Sequence, residues 1–177
     1  MANIILGIIL IILGSAIVAY NRFKTLDIQS QAALSNIDVA LVKRYDTLTN
    51  MVEVVKGYAK HETDVFTEIA TIRSHTLEAI NDTDNKQTET LDKLMALVEA
   101  YPQLKADQNF LHLQHVIADV EEHLQAARRL YNQSVKEFNT RLEVFPSNIV
   151  GKLMKLSNKE FYVSKVEQRE NVDVKFS

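Results

Sequence analysis

Asp46, Asn50, Glu53 and Gly57 follow one another at steps of four, three and four, a spacing that places them on one stripe of a helix. Lys43 and Lys60 extend the stripe, and His61 and Glu62 lie just beyond it. Two carboxylates on one face could serve as acid and base. Carboxylates two turns apart are also common on a solvated face or a polar face between subunits, and that is the plainer reading here. His112, His115 and Asp119 have a spacing that can hold a metal, but they face away from the apolar positions Phe110, Leu113 and Ile117. Glu121, Arg128, Asn132 and Asn139 form another helical row, beside Tyr131. Glu121 and Arg128 are two turns apart, too far to pair with each other. They are expected to meet other helices, either as a buried network that fixes helix register or as a binding surface.

Other chemistries lack their residues. The chain has no cysteine, which removes disulfides, thiolate nucleophiles and Cys-ligated zinc. Neither HExxH nor Glu-x-x-His occurs, so the di-iron bundle pattern is missing. There is no glycine-rich phosphate loop or nucleotide motif, and a net charge of −3 with mixed signs gives no footprint for nucleic acid. No cofactor is expected.

The elements that must position these residues begin with an uncharged run, Ala2–Tyr20, interrupted only by Asn3 and Ser15 among clearly polar side chains. At ~1.5 Å per residue it is long enough to cross a ~30 Å hydrocarbon core. No Lys or Arg precedes it, and bulky Ile17 precedes any cut after Ala19, so an uncleaved anchor is expected rather than a signal peptide. Arg22, Lys24, Lys43 and Arg44 follow the run. The positive-inside rule therefore places the amino terminus outside and the body in the cytoplasm.

After the anchor, the body has few glycines and prolines and many Ala, Leu, Glu, Lys and Gln residues, which describes long helices. Apolar residues recur three and four apart from Leu34 to Ile69, predicting a first helix from Thr25 to about Ile80, with a possible bend near Gly57. Asn81–Asn85 reads as a turn. A second helix is expected over 86–100, ended by Tyr101-Pro102. Asp107 suits the N-cap of a third helix. Its apolar positions Phe110, Ile117, Leu124, Tyr131, Phe138 and Phe145 fall at steps of seven, a coiled-coil-like seam. Pro146 should end that helix and Ser147 cap a short fourth over 148–156. The expected architecture is all-α: an N-terminal transmembrane helix (1–24), a bundle of long antiparallel helices (25–156) and a C-terminal tail (157–177).

Several blocks resemble the bacterial LemA family. They are Asn36-Ile37-Asp38-Val39, Lys43-Arg44-Tyr45-Asp46, and the stretch from Asn50 through Glu53, Lys56, Gly57, Tyr58 and His61 to Glu62. Ala100-Tyr101-Pro102-Gln103-Leu104-Lys105-Ala106, Asn109-Phe110 and Ala127-Arg128-Arg129-Leu130-Tyr131-Asn132 continue it, with Asn139 and Phe145-Pro146. The resemblance covers roughly residues 5 to 150 and fades after Gly151. Thr49 stands where the family usually has proline, which implies a straighter first helix. The resemblance implies a single-pass membrane protein with a cytoplasmic helical bundle and no established catalysis, and the family includes a member associated with magnetosome membrane formation, which suggests a membrane-organising or scaffolding role. It offers no catalytic residue to transfer. Asn36, Asp38, Arg44, Asp46, Asn50, Glu53, Lys56, Gly57, Tyr58, His61, Tyr101, Pro102, Asn109, Arg128, Tyr131 and Asn132 are candidates for structure or assembly.

The leading expectation is a non-enzymatic, membrane-anchored scaffold in the plasma (inner) membrane, forming a homo-oligomer or docking membrane protein partners. The alternative is an adaptor for a membrane protease or signalling system, acting through the stripe Asp46–His61. A third reading is an enzyme or metal protein that uses His61 or His112 and His115.

Overall fold

The computed structural model describes residues 1–58 and 76–163. Among them the chain is helical and without strands: α1 (Ala2–Tyr58), α2 (Leu77–Ala100), α3 (Pro102–Lys105), α4 (Gln108–Glu143) and α5 (Ser147–Leu153). The expected all-α class with a long apolar N-terminal helix is what the chain adopts. Two compact units divide it, one built from Met1–Ala33 and Arg129–Phe161, the other from Leu34–Arg128 and the chain from Tyr162.

The apolar run and the first amphipathic stretch are a single helix, α1. It passes unbroken through Thr49, whose hydroxyl donates to the Tyr45 carbonyl at 2.9 Å. The downstream boundaries differ from the sequence reading. Ile80 belongs to α2, and Asn81–Asn85 is helical rather than a turn. Thr76 supplies the start signal, its hydroxyl accepting from the Ala79 amide at 3.3 Å, which satisfies one otherwise orphaned donor. Local turn propensity at Asn81–Asn85 is outweighed because Ile80, Asp84, Gln87, Leu91, Leu94 and Val98 continue one buried or half-buried row. Helical packing overrides propensity here.

In the second unit, Leu48, Met51, Val52 and Val55 of α1 meet Leu94 and Val98 of α2, Leu104 of α3, and Phe110 and Ile117 of α4. Burying each such side chain stabilises the fold by about 1.5–3 kcal/mol. Asp107 caps α4 as expected, its carboxylate accepting from the Asn109 and Phe110 amides at 2.9 and 3.0 Å. Contacts Arg44–Glu121 and Tyr58–Asp107 run α4 antiparallel to α1, and Asp84–Arg128 and Gln114–Met95 run it antiparallel to α2. It follows that α1 and α2 point the same way.

In the first unit, Phe23 and Leu26 of α1 pack on Phe138, with Leu142, Val150, Met154 and Leu156 around them. Phe23 and Phe138 meet edge-on, centroids 5.5 Å apart. Gly151 lets α5 sit close in this packing: a Cβ there would lie 2.6 Å from Leu142 Cδ2 and 3.4 Å from Phe23 Cζ, so the Leu142 side chain would have to shift. Two details depart from expectation. Pro146, not Ser147, occupies the N-cap of α5, without a side-chain cap bond. Ser147 instead turns back, its hydroxyl donating to the Arg141 carbonyl at 2.8 Å. And Phe145 falls out of the seven-residue seam. The other five positions are buried, but Phe145 lies past the end of α4 and is 78% exposed.

Candidate functional site

Four charged side chains close on one another inside the second unit. Arg44 of α1 and Asp84 of α2, each 1% exposed, pair at 3.0 Å. Arg44 Nε lies 2.7 Å from Glu121 Oε1 on α4, and its other nitrogens donate to Thr88 at 3.1 Å and toward the Asp84 carbonyl. Arg128, two turns along α4 from Glu121, pairs with the second oxygen of Asp84. The expectation that Glu121 and Arg128 would meet other helices is met, on α1 and α2 respectively. Two cations face two anions, so the set is balanced. This is the condition under which charge survives burial.

Tyr162, 1% exposed, completes the group. Its hydroxyl donates to Asp84 Oδ2, and the Arg128 guanidinium stands 5.5 Å from its ring centroid, a cation–π geometry. Burial, then the neighbouring Asp84 charge, pushes the Tyr162 phenol well above its usual range. Burial likewise raises Glu121, partly offset by Arg44. Beside them the Gln87 amide donates to the Leu41 carbonyl at 3.2 Å. The arrangement fixes register: α1, α2, α4 and the chain at Tyr162 can satisfy Asp84 in one alignment only.

The first unit holds a second polar cluster. The Asn139 amide donates to the Lys159 carbonyl at 2.9 Å, and its oxygen accepts from the Lys159 amide at 2.8 Å. Tyr131 donates to the Glu160 carbonyl at 3.1 Å. Lys159 reaches Asp27 at 2.6 Å and lies 5.1 Å from the Phe138 ring, and its hydrogen bond holds the Asp27 carboxyl below the usual range. These bonds lay the extended segment after α5 against α1 and α4.

The stripe residues are spread outward. Asn36, Lys43, Asp46, Asn50, Glu53, Lys56 and Gly57 are all exposed on α1, and Glu53 pairs locally with Lys56 at 2.7 Å. Asp38 and Asn132 are half-buried. Tyr58 donates to Asp107 at 2.8 Å, while Asn109 joins the cap of α4 through its backbone. Tyr101 packs on the core of the second unit, and Pro102 opens α3. His112, His115 and Asp119 are exposed, and among the described residues no three potential metal ligands converge. Lys60, His61 and Glu62 lie outside the described residues. Sequence reasoning missed Asp84, Gln87, Lys159 and Tyr162. Asp84 and Gln87 were legible as polar members of the row from Ile80 to Val98, whereas Tyr162 carried no periodic signal.

The profile of the LemA family matches residues 33–176, and the chain belongs to this family. The match continues well past Gly151, where the block resemblance faded. Among curated proteins, the chain is 20% identical to magnetosome protein MamQ 2 of Paramagnetospirillum magneticum, covering 86% of this chain and 68% of that protein. It is 21% identical to magnetosome protein MamQ of Magnetospirillum gryphiswaldense, covering 82% and 65%. It is 27% identical to protein LemA of Metamycoplasma hominis, covering 81% and 68%. None of these names denotes an enzyme. Among the described residues α1 is the one helix long and apolar enough to cross a membrane, and its Ile and Leu residues from Ile4 to Leu13 are roughly half to three-quarters exposed. Family and helix together give a membrane-associated protein.

Proposed function

We propose that the chain is a non-enzymatic, single-pass, membrane-anchored scaffold that self-associates or holds partner proteins at the membrane face. The observation that carries this reading is the continuity of α1. One uninterrupted helix bears the apolar run and then supplies the core residues Leu48, Met51, Val52 and Val55. A flexible tether would need breakers between the two, and none is present between Gly14 and Gly57. Residues 1–24 are the anchor, 25–156 the helical body and 157–177 the tail. The charges at Arg22 and Lys24 favour an external amino terminus and a cytoplasmic body. The magnetosome names of the relatives fit a membrane-organising role.

The test is the mass of the detergent-extracted full-length protein by light scattering. A defined homo-oligomer, or a reproducible stoichiometric complex with a membrane protein, supports the scaffold. A strict monomer that retains no partner sinks it. A second reading, an adaptor for a membrane protease or signalling system, rests on the stripe Asp46–His61, of which Asp46, Asn50, Glu53 and Gly57 are exposed. Reversing Glu53 and Lys56 should then release a co-purifying partner while leaving the fold intact. Unchanged co-purification counts against it.

A further inference from the structure

The turn after α4 and one side of α5 carry an apolar surface that the fold does not use. Val144, Phe145, Ile149 and Leu153 are 46%, 78%, 52% and 79% exposed. Ile149 and Leu153 lie four apart on one side of α5, with Phe145 in the turn before it, while Ser147 and Gly151 on the other side are buried and the adjoining Val150 packs against the core of Phe23 and Phe138. Exposed apolar side chains occurring singly need no explanation, but a clustered set beside a membrane helix does.

Its height along α1 says what covers it. Glu137 pairs with Arg22 at 3.1 Å, and Phe138 packs on Phe23. From that level the chain runs about six or seven residues further to Val144, just past the end of α4, ~10 Å at 1.5 Å per residue, toward the amino terminus of α1. Val144 is therefore level with the stretch from Ser15 to Ile17, inside the apolar run. Burial agrees: Ala19 belongs to the run, yet it is only 9% exposed. Lys152 and Lys155 are exposed beside the apolar face, and such side chains can keep their ammonium groups at headgroup depth while their stems lie along apolar surface. Glu143 is the exposed acid of this region.

We propose that α5 and the turn before it form a second membrane contact, an interfacial wedge that inserts Phe145, Ile149 and Leu153 into the headgroup–acyl boundary. The Val144 level puts neighbouring Phe145 within the ~5–10 Å burial of interfacial helices, while Gly151, whose Cβ would lie 3.4 Å from Phe23 Cζ, sets Ile149 and Leu153 at the headgroup end of the same boundary. A second copy of the chain is a poorer occupant. The four side chains offer on the order of a few hundred Å², short of the ~800 Å² per partner of a stable interface. The proposal rests on α1 spanning the bilayer.

The absence of native cysteine allows a direct test on the full-length protein. Single substitutions Ile9→Cys, Gln133→Cys, Ile149→Cys and Leu153→Cys, each nitroxide-labelled, are reconstituted in vesicles of phosphatidylethanolamine and phosphatidylglycerol. Collision with oxygen is compared with collision with a water-soluble nickel chelate. The wedge predicts an oxygen-to-nickel ratio several-fold higher at Ile149 and Leu153 than at Gln133, an exposed α4 site in the same unit. A lipid-like Ile9 with Ile149 and Leu153 as water-accessible as Gln133 overturns the wedge and leaves the span intact. A water-accessible Ile9 overturns both. Spin–spin broadening at Leu153 that vanishes on dilution with unlabelled protein assigns the face to a second copy, and also overturns the wedge.

Discussion

Asp84 is the residue on which the buried charges depend, because both guanidiniums and the Tyr162 hydroxyl converge on its carboxylate. Asp84→Asn keeps the shape but leaves two buried cations facing Glu121 alone. The expected loss is about 3–5 kcal/mol, read as a lowered thermal transition in detergent. Tyr162→Phe removes the hydrogen bond to Asp84 and should cost nearer ~1 kcal/mol. Tyr162 also carries a pH response. The folded-state pKa of Tyr162 lies above its ordinary value of 10.0, so the unfolded chain loses that proton first as pH rises. Stability from Tyr162 is complete below pH 10 and declines above it. Tyr162→Phe should flatten that alkaline decline. Asp27 has the opposite sign. Its pKa is lowered from 3.8, so its contribution is present above that value and is lost as pH falls through the folded-state value. Asp27→Asn should flatten the acid limb.

The elements respond to glycine substitution according to where they pack. Gly151 of α5 meets Leu142 and Phe23 where a Cβ would go. Gly151→Val should therefore lift α5 from its seat and cost about 1–3 kcal/mol by overpacking. Gly57, on the exposed face near the end of α1, has open space where a Cβ would stand. Gly57→Ala should stabilise by roughly 0.5–1 kcal/mol through helix propensity. Thermal unfolding of the two variants in the same detergent distinguishes them by sign. The same comparison separates α5 from a loose appendage, since an undocked α5 would tolerate valine.

For the molecule as a whole, the expected outcome is a full-length assembly larger than one chain. Its mass should be insensitive to His112→Ala and His115→Ala, because both side chains face outward and surface changes of this kind usually stay within about 0.5 kcal/mol. Light scattering of the double variant beside the parent protein checks this. A dissociated double variant would assign those histidines to an interface and move attention from α1 to the outer face of α4.

By itself the sequence determined the helical class, the apolar run at its start, the stop at Tyr101-Pro102 and the cap at Asp107. These depend on neighbours within a turn or on a period sustained over many residues, and such signals survive without tertiary context. It also determined that Glu121 and Arg128 must look elsewhere for partners, since spacing alone forbids their meeting. Only the tertiary structure decided who those partners are. Asp84 looked like a turn residue because Asp and Asn favour turns locally, but two arginines from other helices supply a compensation that no local window contains. Phe145 kept the seven-residue step in sequence yet left the core, because α4 ends before it. Tyr162 is buried by residues brought from α2 and α4, so its place was set by packing between segments distant in the chain.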